Sequence, residues 1–138
     1  MTHNVETSWK GNMKFDAVVN GHHILMDAMP DVGGEDAGPR PKPLMIAALA
    51  GCTGMDVVWV LKKKRVNIES LDVNIEAEVT EENPIHYTKM HIVYLFKGKG
   101  LDMEKLKKAV ELSQESYCGV SFVYKQTMQL TYEIKVIE

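Results

Sequence analysis

Residues 43–65 read PLMIAALAGCTGMDVVWVLKKKR, and the fold turns on this stretch. From Leu44 to Leu61 it is apolar almost all round, with Asp56 the single charged residue before the basic run Lys62-Lys63-Lys64-Arg65. A helix apolar on every side is buried on every side or crosses a membrane. At 1.5 Å per residue it would be about 34 Å long, enough for either. Asp56, Gly51, Gly54 and the amphipathic strands that flank the helix and need it as their core argue against a span, because a carboxylate in lipid is costly. The stretch is therefore expected to be the long buried central helix of a water-soluble domain.

Outward from it, strands alternate with turns. Residues 8–19 place Trp9, Met13, Phe15, Ala17 and Val19 on one side and Lys10, Asn12, Lys14 and Asp16 on the other, the period of a half-buried strand. Asn20-Gly21 predicts a tight hairpin, with His22–Met29 returning. Residues 30–41, PDVGGEDAGPRP, form a loop rich in Gly and Pro that carries Glu35, Asp36 and Arg40 to the helix start. Pro41 and Pro43 suit that start.

Beyond the helix, Leu71, Val73, Ile75, Ala77 and Val79 alternate with polar residues, and Met90, Ile92, Tyr94 and Phe96 share one face of a strand over 88–97. Asp102 is an expected N-cap for an amphipathic helix with a stripe through Met103, Leu106, Ala109, Val110, Ser113 and Tyr117. Tyr117-Cys118-Gly119 ends or bends it. Residues 119–126 read equally as a short helix or a loop. A last strand turns Met128, Leu130, Tyr132, Ile134 and Val136 inward.

The order ββ, long helix, ββ, helix, β predicts one α+β domain over 1–138 with a mostly antiparallel sheet. A domain this small covers such a helix poorly, so a homodimer sharing the Leu44–Leu61 helices is expected. The chain has 138 residues and net charge −3, which gives no reason to expect a nucleic-acid partner. Its start, MTHNVETSWKGN, lacks an apolar signal region, so a cytoplasmic location and free thiols are expected. The five histidines are scattered, and no Cys/His cluster has zinc spacing. No metal, bound cofactor or membrane partner is expected.

Two thiols draw attention. Cys52 lies within the central helix between Gly51 and Gly54, which would let a ligand or backbone approach the sulfur. Asp56 is one turn on, on the same face. Such a carboxylate could orient a partner, but it raises rather than lowers a neighbouring thiol's pKa. Read on residue type and spacing alone, Cys52 is better explained as a small buried hydrophobe, as most free cysteines are, because buried thiols are usually inert. Cys118 is distant in sequence, and spacing does not bring the two together.

PRPKPLMIAALAGCTGMDVV together with ELSQESYCGVSFVYKQT resembles the OsmC/Ohr family, the osmotically inducible and organic-hydroperoxide-resistance proteins, and within it a less characterised branch. The motifs are Gly33-Gly34-Glu35-Asp36-Ala37-Gly38-Pro39-Arg40-Pro41, then Gly51-Cys52-Thr53 with Met55-Asp56-Val57, then Tyr117-Cys118-Gly119. The resemblance implies an intertwined homodimer with active sites at its interface. It implies a thiol-dependent peroxidase in which Cys52 attacks an organic hydroperoxide and Cys118 resolves the sulfenic acid. An external dithiol then restores both; some relatives use a lipoyl-type one.

Characterised members carry a glutamate shortly before the first cysteine, where this chain has Lys42 and Pro43. They also carry an arginine in the N-terminal strands, where this chain has none before Arg40. Arg40 could hold the thiolate from the loop, with Lys42 assisting. Asp56 could stand in for the glutamate or be a structural group. The altered loop leaves a second reading open: a non-catalytic protein on the same scaffold that binds a small acyl or anionic ligand.

Overall fold

The computed structural model describes residues 1–138, which pack as two compact units, Met1–Met45 and Ile46–Glu138.

The first unit is a three-stranded antiparallel sheet, β1 (Glu6–Trp9), β2 (Phe15–Val19) and β3 (His22–Met26), in the order β1-β2-β3. The alternation over 8–19 is thus split between two strands, not carried by one. Gly11 and Asn12 take left-handed φ values of 94° and 47°, Lys10 and Lys14 pair across the turn at 2.8 Å, and the Trp9 indole N–H donates to the Asn12 carbonyl at 2.8 Å. Only residues tolerant of positive φ allow that reversal. The Asn20-Gly21 turn is as expected, with φ of 51° and 81°. β3 stops at Met26 because the next residue, Asp27, turns its side chain to the loop.

Asp27 is buried, and its carboxylate accepts from the amides of Ala28 (2.8 Å), Glu35 (3.1 Å) and Ala37 (3.1 Å). One side chain therefore organises the loop. Gly34 and Gly38 are required there: an added Cβ would lie 2.0 Å from the Ala28 carbonyl oxygen at the first and 2.1 Å from that of Leu25 at the second.

The second unit is built on a sheet in the order β4 (Ser70–Val79), β5 (Tyr87–Lys97), β6 (Gln129–Ile137). β4 and β5 are antiparallel, but β5 and β6 are parallel. The reason is the helical crossover between them: α2 (Met103–Leu112), a π-turn (Ser113–Tyr117) and α3 (Gly119–Lys125) carry the chain back to the start of β5. Residues 119–126, ambiguous in the sequence, are thus largely helical. Asp102 caps α2, its carboxylate accepting from the Glu104 amide at 3.0 Å.

Met90, Ile92, Tyr94 and Phe96 are fully buried on one face of β5, as their alternation predicts. They form one cluster with Leu49, Val57, Val60 and Leu61 of α1 (Pro43–Lys63) and with Leu106, Ala109 and Val110 of α2. Each large side chain here contributes roughly 1.5–3 kcal/mol by leaving water. Some positions expected on the buried faces are exposed, Tyr117 of the α2 stripe among them. Val79 is exposed beyond a bulge at Glu78/Val79, and Tyr132 stays partly exposed, its ring edge-on to Tyr94 at 6.0 Å.

By length and composition α1 could cross a membrane, yet its Leu49–Leu61 stripe is core of this unit. Within the chain it is covered on that stripe alone. Met55 is 76% and Trp59 55% exposed. They border an open apolar groove of about 510 Å³ with Val58, Leu71 and Val73. A single sheet face covers one side of a helix, so an all-round apolar helix keeps its outer side uncovered here.

Candidate active site

Cys52 sits half-buried on α1. Cys118 comes to it by way of the π-turn. The Cys118 amide donates to the Ser113 carbonyl at 2.8 Å, the wider turn ends α2, and Cys118 adopts extended geometry (φ −77°, ψ 102°) before α3. π-turns at helix ends often redirect a side chain in this way. The Cys118 Sγ accepts from the Ser121 amide at 3.3 Å, and the residue is 4% exposed.

Cys52 Sγ, Cys118 Sγ and an Asp56 carboxylate oxygen all lie within 4.8 Å of one another. Cys118 and the backbone of Val120 both lie close enough to Cys52 to act on its thiol. Burial, most of all, pushes the Cys52 thiol above its ordinary value of 9.0; the Cys118 contact and the Asp56 charge add to the rise, against the Val120 amide.

Asp56 is held in place by a buried chain of hydroxyls that sequence reading missed. Ser113 Oγ donates to Asp56 Oδ2 at 3.0 Å. Thr53 Oγ1 meets Ser113 Oγ at 2.6 Å and Tyr94 OH at 2.7 Å. Gln114 Nε2 donates to Thr53 Oγ1 (3.2 Å) and Tyr94 OH (2.9 Å). These contacts fix the direction of the chain. Ser113 spends its proton on Asp56, so Thr53 donates to Ser113 and Tyr94 to Thr53. The Tyr94 phenol, pushed up to about 12 chiefly by burial, keeps its proton throughout the ordinary pH range. The available signal was Thr53 and Ser113 lying on otherwise apolar stripes, where a hydroxyl must find a partner.

Beside Cys118 opens a pocket of about 420 Å³, lined among others by Gln114, Tyr117, Phe122 and Lys125. Lys125 Nζ donates to the Gln114 carbonyl at 2.6 Å. Arg40 belongs to the other unit, where its Nη2 donates to Asp36; Nη1 is buried with no hydrogen-bond partner. Of the expected site residues, Cys52, Cys118 and Asp56 are therefore brought together. The loop acid Glu35 is paired with Lys14.

Residues 33–133 match a family model described as OsmC-like protein. The chain is 30% identical over 118 residues to Protein YhfA of Escherichia coli K12, covering 86% of this chain and 85% of that protein. It is similar to a hypothetical protein of Aquifex aeolicus VF5 (TM-score 0.85, 28% identity, 100% and 99% of the two chains). It also shares its fold with the organic hydroperoxide resistance protein OhrB of Bacillus subtilis (TM-score 0.65, 19% identity, 98% of each chain). With its family model matched over most of its length and its two cysteines meeting across the second unit, this chain belongs to the OsmC-like protein family.

Proposed function

We propose that the protein is a cytoplasmic, homodimeric thiol peroxidase that reduces organic hydroperoxides. The observation that carries this reading is the meeting of the Cys52 and Cys118 sulfurs within 4.8 Å, with the first half-buried and the second buried. The Cys52 thiolate attacks the outer peroxide oxygen, the O–O bond breaks, and the alkoxide leaves to become an alcohol once protonated. Cys52 is then a sulfenic acid. The Cys118 sulfur displaces its oxygen as water and a disulfide forms. An external dithiol exchanges with that disulfide, ends oxidised itself and restores both thiols.

Asp56 is proposed to take the proton that leaves the resolving thiol, since it lies within reach of both sulfurs and accepts from Ser113. The pocket beside Cys118 would hold the organic part of the substrate against Tyr117 and Phe122. Arg40 is proposed as the thiolate's cation on the loop's resemblance alone. The second copy is proposed to cover Met55 and Trp59 of α1, the two most exposed large apolar side chains of the central helix.

A second reading is favoured by one observation: the raised Cys52 thiol is poorly suited to attack at neutral pH. On that reading the chain binds a small acyl or anionic ligand and the thiols are passive. Consumption of cumene hydroperoxide with excess dithiol separates the two. Turnover that Cys52→Ser abolishes, with Cys118→Ser leaving a Cys52 sulfenic acid or its mixed disulfide with the external dithiol in place of the internal disulfide, supports the peroxidase. No turnover, with a copurifying ligand that Cys52→Ser retains in native mass spectrometry, supports the binding protein.

A further inference from the structure

We propose that the reduced protein binds a zinc-class divalent cation through Cys52, Asp56 and Cys118, with the fourth position left open.

Three donor atoms of the right chemistry converge. Two are sulfurs and one is a carboxylate oxygen, all within 4.8 Å of one another. Two sulfurs each about 2.3 Å from a tetrahedral zinc stand roughly 3.8 Å apart, so closing the set needs at most about an ångström of movement. Thiolate donors favour zinc over the hard cations that dominate in cells. The spacing Cys52–Asp56 is one helical turn, and Cys118 arrives from a different element. That is why no sequence motif announced the set: its ligands come from positions 52, 56 and 118.

The surroundings are those of a ligand set and not of three stray groups. Asp56 Oδ2 is oriented by Ser113 Oγ, which is oriented in turn by Thr53. Cys118 Sγ accepts from the Ser121 amide at 3.3 Å. Outer hydrogen bonds of this kind fix the direction of metal ligands and support their negative charge. Two thiolates and a carboxylate in one partly buried space repel one another, and a dication offsets that repulsion directly. Cys52 and Asp56 are each half-buried, so the set opens toward solvent on their side, where water would complete the tetrahedron.

The proposal requires reduced thiols but no peroxide chemistry, so the two stand or fall separately. Disulfide formation and metal binding use the same sulfurs, and each excludes the other.

The test uses full-length, reduced, chelator-treated protein. Titration with Cd²⁺ is expected to give an ultraviolet thiolate-to-cadmium band that saturates at one ion per chain. Zn²⁺ competes for the same site, read against a fluorescent chelator. Ser113→Ala, which removes the outer partner of Asp56 along with the acceptor of Thr53 but none of the three ligands, is expected to weaken Zn²⁺ binding about 10-fold or more. Asp56→Asn keeps the cadmium band but weakens binding, and Cys52→Ser weakens it further. Wild-type protein oxidised to the Cys52–Cys118 disulfide binds neither ion, which covers the case of a variant that fails to fold. The proposal is overturned by the absence of the charge-transfer band. It is equally overturned by Zn²⁺ affinity unchanged in Cys52→Ser and in oxidised protein, which would mean an adventitious ion only.

Discussion

Thr53→Val isolates the buried hydroxyl chain, because the two side chains have nearly the same volume and differ by one oxygen. Thr53 is fully buried and touches Tyr94 OH, Ser113 Oγ and Gln114 Nε2. After the change Gln114 still donates to Tyr94 and Ser113 still donates to Asp56. The Tyr94 O–H, however, loses its acceptor inside the core. A buried donor left without a partner costs about 1–3 kcal/mol, and Ser113 loses an incoming bond as well, so the expected loss is about 2–3 kcal/mol. For a domain of this size that corresponds to roughly 6–12 °C in Tm. Thr53→Ser keeps the oxygen and sheds a methyl, with an expected loss of about 1 kcal/mol. Urea unfolding followed by circular dichroism, at matched protein concentration, measures both. A Thr53→Val loss below about 0.5 kcal/mol, or one no larger than that of Thr53→Ser, would refute the claim that this hydroxyl anchors the network.

Other expectations follow from single groups. Asp27 has its carboxyl held below its ordinary value of 3.8: burial opposes this, and the Ala37, Ala28 and Glu35 amides outweigh it. Its charge therefore stabilises above that value and the contribution is lost as pH falls through the lower folded value, so Asp27→Asn should flatten the urea midpoint's dependence on pH below about 4. Iodoacetamide labelling of Cys52 in metal-free protein should keep rising with pH to beyond 9.0, because the thiol is pushed above that value; a plateau below about pH 8 would contradict the reading of its surroundings. Gly38→Ala forces a Cβ to 2.1 Å from the Leu25 carbonyl oxygen and should destabilise by about 1–3 kcal/mol in thermal melts. Trp59→Glu, on the uncovered side of α1, should shift sedimentation from dimer to monomer while leaving the circular dichroism spectrum unchanged.

What could be read in advance divides along physical lines. Alternation identified β4 and β5, and Asn20-Gly21 identified a turn, because these signals are local and the burial they reflect lies within one element. The break at Gly11-Asn12 was hidden because Trp9 and Phe15 keep the same phase on either side of it. The parallel pairing of β5 with β6 depended on whether residues 119–126 were helical, which a short segment with mixed signals left open. The cysteines were recognised through family resemblance; their own spacing carried no hint that a π-turn would swing Cys118 onto α1. The hydroxyl chain draws on Thr53, Tyr94, Ser113 and Gln114 from three elements, so only the folded arrangement reveals it. Asp27 falls inside the expected His22–Met29 strand with no signal of its own, and its role is visible only in the fold, where three loop amides point at its carboxylate.

The most direct test of the redox account is intact and peptide mass spectrometry after one equivalent of cumene hydroperoxide is added to the reduced protein. The account predicts a loss of two hydrogens per chain and a single cross-linked peptide pair joining Cys52 to Cys118 within one chain. Both thiols recovered unchanged, or Cys52 carried on to the sulfinic acid with Cys118 untouched, would contradict it.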